Sequence, residues 1–135
     1  MAWTTGRGRL PRELRLQRQR LFLHVQHGDT PAVRQLLDAG IDPHVRDGNR
    51  RGLLHLLSLV DHELLLPRLL AAGLDVHARD VDGRTPLHHA VAIGPSALVR
   101  ALLAAGARAD VADVHGRSPA DLVRAHRRTY LADLF

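Results

Sequence analysis

Residues 80–112 read DVDGRTPLHHAVAIGPSALVRALLAAGARADVA, and this stretch decides the fold. Thr85 can cap a helix with its hydroxyl, and Pro86 loses nothing at a first helical position that has no use for an N–H. Leu87, Ala90 and Val91 then fall at helical spacing, as the buried stripe of a short first helix. Gly94 and Pro95 interrupt that helix, and Ser96 is expected to cap a second one. Leu98, Val99, Leu102 and Leu103 form the second helix's apolar face. Gly106 is placed to end it in the left-handed conformation that glycine adopts at little cost. The loop 80–84 reverses the chain, and the small residues Ala90, Ala92 and Ala101 let helices approach closely.

The same frame recurs along the chain. Gly40, Gly73 and Gly106 are 33 residues apart, each after an Ala (39, 72, 105) and a Leu pair (36–37, 69–70, 102–103). His55 and His88, His44 and His77, and Gly83 and Gly116 share that spacing of 33. So do Asp47, Asp80 and Asp113, and the column Arg18, Arg51, Arg84 and Arg117. A fixed period of this length marks a stack of like units in which each buries its apolar face against the next.

The intact motif Thr85-Pro86-Leu87-His88, carried on that period, resembles the ankyrin repeat over residues 14–135. The units are about 14–46, 47–79, 80–112 and a partial 113–135, behind a basic entry segment at 1–13. The resemblance implies an all-α solenoid of paired antiparallel helices, about three and a half repeats long. It also implies that His55 and His88 bond the loop backbone, and that the chain binds another protein through a concave face and loop fingers.

Several units depart from the pattern. In the second, Gly52-Leu53-Leu54-His55 replaces the motif, so the hydroxyl cap is gone. Asp61 stands where the inter-helix Gly should be, and Pro67 falls inside the second helix, where a late start or a mild kink is expected. This unit should be looser than the third. The first unit lacks the motif but offers Thr30-Pro31 as cap and first residue of its second helix. The last carries Ser118-Pro119-Ala120-Asp121 and stops inside its second helix. Divergence in the outer units fits positions with a single neighbour.

Composition narrows the function. Hydrophobic residues are 45% and aromatics 3%, so the chain is built to fold and favours helices over strands. Cys is absent, which excludes disulfides and thiolate metal sites and fits a reducing, cytoplasmic setting. Every basic residue is Arg. The net charge of +5 belongs to the first twenty residues, which hold six Arg and only Glu13 as an acid. The start has no apolar core of the kind a secretory signal needs, and no run is long enough to span a membrane.

Candidate chemistry is sparse. His62-Glu63 begins like a zinc-protease signature, but Leu66 occupies the place of its second His. His88 and His89 are adjacent and point apart on a helix. Ser58, Ser96 and Ser118 have no attendant base, and no glycine-rich phosphate cradle occurs. The expectation is therefore a non-catalytic monomer without metal or cofactor, binding a partner protein.

The partner-site candidates are the column Arg18, Arg51, Arg84 and Arg117, on rungs on the order of 10 Å apart, and the apolar Leu59, Val60 and Ile93 at the ends of first helices. Val81, His115 and His126 occupy further slots that the family uses for contacts. Asp47, Asp80 and Asp113 lie close enough to neutralise part of the Arg column. The alternative is a nucleic-acid or polyanion binder using the basic entry segment, Arg7 to Arg20, together with that column.

Overall fold

The three second helices all stop in the same way, and that shared stop sets the frame. α2 (Thr30–Asp38), α3 (His62–Ala71) and α5 (Ser96–Ala104) are followed by Ala39, Ala72 and Ala105, and then by Gly40, Gly73 and Gly106 at φ of 99°, 89° and 100°. The glycine N–H bonds back to Leu37, Leu70 and Leu103, at 3.1, 3.0 and 3.0 Å. The next residue's N–H reaches Leu36, Leu69 and Leu102, at 3.2, 3.2 and 3.0 Å. Carbonyls that a helix end would leave open are thus closed, through a left-handed residue that glycine supplies without strain. The residue after each glycine (Ile41, Leu74, Ala107) then turns inward to the core.

The computed structural model describes residues 12–135. Among these the elements are all helical. α1 (Arg12–Gln26) packs on α2, α4 (Pro86–Ile93) packs on α5 and on α6 (Pro119–Ala125), and 3-10 segments lie at Leu57–Leu59 and Thr129–Leu134. None of these helices is long and apolar enough to cross a membrane. One apolar core runs through all units, from Leu21 and Val25 of α1, through Leu57 and Leu69, to Leu87, Val91, Leu98, Leu102, Leu122 and Leu131.

Two caps fall one residue earlier than the sequence suggests. Asp29, not Thr30, caps α2, its carboxylate accepting the Ala32 N–H at 3.2 Å. Thr30 is instead buried, and its hydroxyl accepts the N–H of Asp61 in the next repeat at 3.0 Å. Likewise Pro95, not Ser96, stands at the cap of α5. Gly94 needs its lack of a side chain, since a Cβ there would lie 2.8 Å from the Ala90 carbonyl.

The second repeat departs furthest. It has no first α-helix. Residues 53–56 form turns and 57–59 a single 3-10 turn, joined by bonds between residues three apart, from His55 to Gly52, Leu56 to Leu53 and Leu59 to Leu56. Without a hydroxyl at position 52 or a φ-fixing proline at 53, no start signal fixes the wider helical turn. A small apolar void lined by Val25, Val33, Leu53, Leu57, Val60 and Leu65 remains beside it. α3 itself starts early rather than late, because the Asp61 carboxylate accepts from Glu63 at 3.1 Å and Leu64 at 3.4 Å. Pro67 sits inside α3 on its exposed side.

The outer units also differ. α1 is already helical at Arg12 and Glu13, and residues 1–11 of the entry segment lie outside the described residues. In the last unit Ser118 and Asp121 cap α6 reciprocally, at 3.0 and 3.1 Å. The second helix is replaced by the 3-10 segment 129–134. Leu131 is fully buried and Leu134 partly so, whereas Phe135 is exposed. Arg128 lies across the end of α4. Its guanidinium donates to the carbonyls of Val91 at 2.8 Å, Ala90 at 3.3 Å and Gly94. Tyr130 Oη accepts from the same guanidinium at 2.8 Å.

These differences predict an uneven stability. In hydrogen exchange, amides of α4 and α5 are expected to outlast those of residues 52–60. Gly52→Thr should stabilise by about 0.5–1 kcal/mol, by restricting the unfolded chain and restoring a hydroxyl cap. The new Cβ meets nothing closer than 3.9 Å. A destabilised Gly52→Thr protein, or slower exchange at 52–60 than in α4, contradicts this account.

Candidate partner-binding site

Three fingers project from the stack, each folded around one aspartate. Asp47 Oδ1 accepts the N–H groups of Asn49 and Arg51, both at 2.9 Å. Asp80 accepts those of Asp82 and Arg84 at 2.9 and 3.0 Å, and Asp113 those of His115 and Arg117 at 2.8 and 3.0 Å. Burial pushes the Asp80 carboxyl up, but the N–H of Arg84 and the ring of His89 outweigh it and hold the group below its ordinary value. Asp113 is likewise pushed up by burial, yet held below the usual range by the N–H groups of Arg117 and His115 and by Arg84. Neighbouring fingers are joined main chain to main chain. Val81 N–H donates to Asn49 O and Val114 N–H to Asp82 O, each at 2.9 Å.

Histidines tie the second and third inner segments to the finger beyond. His88 Nδ1 accepts the Thr85 N–H at 3.0 Å, with the Thr85 hydroxyl at 2.9 Å. An acceptor at Nδ1 places the ring proton on Nε2, which donates to Arg117 O at 2.9 Å. His55 repeats this, accepting from Gly52 N–H at 3.1 Å and donating to Arg84 O at 2.9 Å. The loop role expected for both histidines is what the structure shows. Burial pushes His55 down to about 4 and also lowers His88. His89 turns away from His88 and bonds Asp80 Oδ2 at 2.7 Å, its ring edge-on to His55. His44 and His77 serve their loops through main-chain N–H groups, held by Asp42 and Asp75 at 2.8 Å.

The four arginines of the column occupy unlike settings. Arg18 lies half-buried on α1, in a cleft with Phe22, Leu23 and Gln26 that faces Asp47 and Gly48 of the first finger. Arg51 pairs with Asp47 of its own finger at 2.9 Å, whereas Arg84 reaches Asp113 of the next at 3.2 Å. Arg117 is exposed and forms no ion pair among the described residues. A second arginine row escapes the sequence reading. Arg46 Nη1 donates to Arg79 O at 2.9 Å, and Arg79 Nη1 to Ala112 O at 3.5 Å, each one period onward. The signal for it was the recurrence of Arg at 46 and 79 within the 33-residue frame.

The apolar candidates divide too. Ile93 is 66% exposed and Leu59 39%. Val60, by contrast, packs partly into the core and lines the void beside residues 53–57. Val81 is 54% exposed on its finger, and its counterpart one finger on, Val114, is 65% exposed. Val114 was not singled out from sequence, although it shares the frame position of Val81.

A family model described as ankyrin repeats (3 copies) matches residues 21–115. No curated protein matches the chain.

The histidine joints make stability depend on pH. A His whose folded pKa lies below its unfolded value contributes its full stability above the unfolded value and loses it as pH falls towards the folded one. For His55 that window runs from 6.5 down to about 4. The loss across it is on the order of 3 kcal/mol, and His88 adds in the same direction. The urea midpoint should be flat above pH 7 and fall steadily between pH 6.5 and 4. In His55→Gln the midpoint should be lower at pH 7, and the fall shallower. An unchanged midpoint from pH 7 to 4.5 contradicts the assignment.

Proposed function

Because the chain belongs to the ankyrin repeat family, we propose that it binds a partner protein through the face bounded by its fingers and the ends of its inner helices. Ankyrin repeats are protein-interaction modules, and the choice of face is our reading. The observation that carries it is the set of large apolar side chains left in water there: Ile93 and Leu59 at inner-segment ends, Val81 and Val114 on adjacent fingers. Each lies beside a completed core, so burying it adds nothing to the fold but can contribute to an interface. Arg18, Arg51, Arg84 and Arg117 line the edge. Of these, Arg117 has the freest guanidinium for a partner carboxylate, since Arg51 and Arg84 already serve Asp47 and Asp113. The chain acts by surface complementarity, without bond chemistry.

The test compares two exposed apolar positions. Ile93→Asp should weaken partner binding about tenfold or more at every salt concentration, since it sets an unpaired charge into a desolvated contact. Leu64→Asp, at an exposed position on the second helix α3, should leave binding intact. Arg117→Ala should mainly slow association, with a loss that shrinks as salt rises. Native-lysate capture followed by binding kinetics on the captured protein gives all three readings. If the Ile93→Asp protein stays folded and binds as tightly as the parent, the proposed face is wrong.

A further inference from the structure

The loops that run from each second helix to the next finger enclose two equivalent clefts. The first is lined by His44, Arg46, Gly52, Asp75 and Ala78, among others. The second is lined by His77, Arg79, Thr85, Arg108 and Val111, the same five positions 33 residues onward. The two differ in charge. In the first, Asp75 and Arg46 both line the cleft. In the second, Arg108 takes the place of Asp75, so His77, Arg79 and Arg108 share one cleft with no acid lining it.

Both arginines of the second cleft are available. Arg79 is anchored by Nη1 alone, to the Ala112 carbonyl at 3.5 Å. A guanidinium has five N–H donors, so most of its capacity remains uncommitted. Arg108 is held by Asp110 at 2.9 and 3.1 Å, but that pair is 65% and 69% exposed, and water and salt screen such pairs strongly. A ligand oxyanion can therefore take over its fork. Two planar forks with an imidazole beside them suit a compact ligand carrying two negative charges, and guanidinium bonds phosphate oxygens in pairs.

We propose that the cleft formed by His77, Arg79 and Arg108 is a binding site for the phosphate monoester of a small anionic ligand. It shares no residue with the partner face described above and stands independently of it. The first cleft, with Asp75 in place, repels such a ligand and serves as a control within the same molecule.

The full chain, labelled with nitrogen-15, is titrated with inorganic phosphate at pH 7.5 and constant ionic strength, with acetate in a parallel series. Saturable shifts are expected at the Arg79 and Arg108 side-chain Nε–H groups and at His77, with a dissociation constant on the order of 1 mM. Arg46 and His44 should not respond. Arg108→Asp, which reinstates the acid of the first cleft at an exposed position, should weaken binding at least tenfold while leaving the rest of the spectrum in place. Arg79→Gln should weaken it as well. Shifts that rise linearly without saturating, that are equal at Arg46 and Arg79, or that persist in Arg108→Asp overturn the proposal. So does acetate binding as tightly as phosphate.

Discussion

A neutral imidazole has one acceptor and one donor on opposite sides of its ring, and this chain uses both at once. His88 takes the N–H at the start of its own helix and gives its proton to a carbonyl of the following finger, and His55 does the same one repeat earlier. Each ring thus fixes the inner segment of one unit against the finger of the next. The finger, in turn, is folded by its buried aspartate, and its main chain bonds the finger beside it. The imidazole link thus acts together with the main-chain bonds between fingers in setting the height of the second and third fingers on the stack. The link needs the ring uncharged, and burial secures that.

The second repeat separates this link from the helix that usually carries it. Residues 52–60 do not form an α-helix, yet His55 keeps both of its bonds. The Thr-Pro start signal is missing there, but the imidazole and the leucines on either side still find their places in the common core. What is lost is packing, visible as the apolar void against α1, α2 and α3. Nearest-neighbour contacts in a stack tolerate such a unit, because its two neighbours supply the walls it lacks.

The fold was legible because its signals are local and repeated. The terminal glycines and the motif histidines recur in one frame that also holds the Thr-Pro start of α4, and each has a mechanical reason for its residue type. The caps of α2 and α5 were misplaced by one residue, since Asp29-Thr30 and Pro95-Ser96 each offer adjacent residues able to occupy that position. Arg128 was missed for a different reason. Its acceptors are main-chain carbonyls of residues 90, 91 and 94, and a carbonyl carries no residue-type signature. The arginine column looked uniform in sequence, but pairing depends on which carboxylate lies nearest in space. Arg51 finds its own finger's aspartate and Arg84 its neighbour's.

Apart from the Arg84–Asp113 ion pair, the joints that tie the fingers end on main-chain atoms: Arg84 O and Arg117 O for the imidazoles, Asn49 O and Asp82 O for the finger-to-finger bonds. A carbonyl oxygen is present whatever the residue. Side chains at Asn49, Asp82 and Arg117 can therefore change without touching these main-chain bonds, whereas that of Arg84 also holds Asp113. Residues displayed on such fingers can change while the main-chain frame beneath them is inherited unchanged.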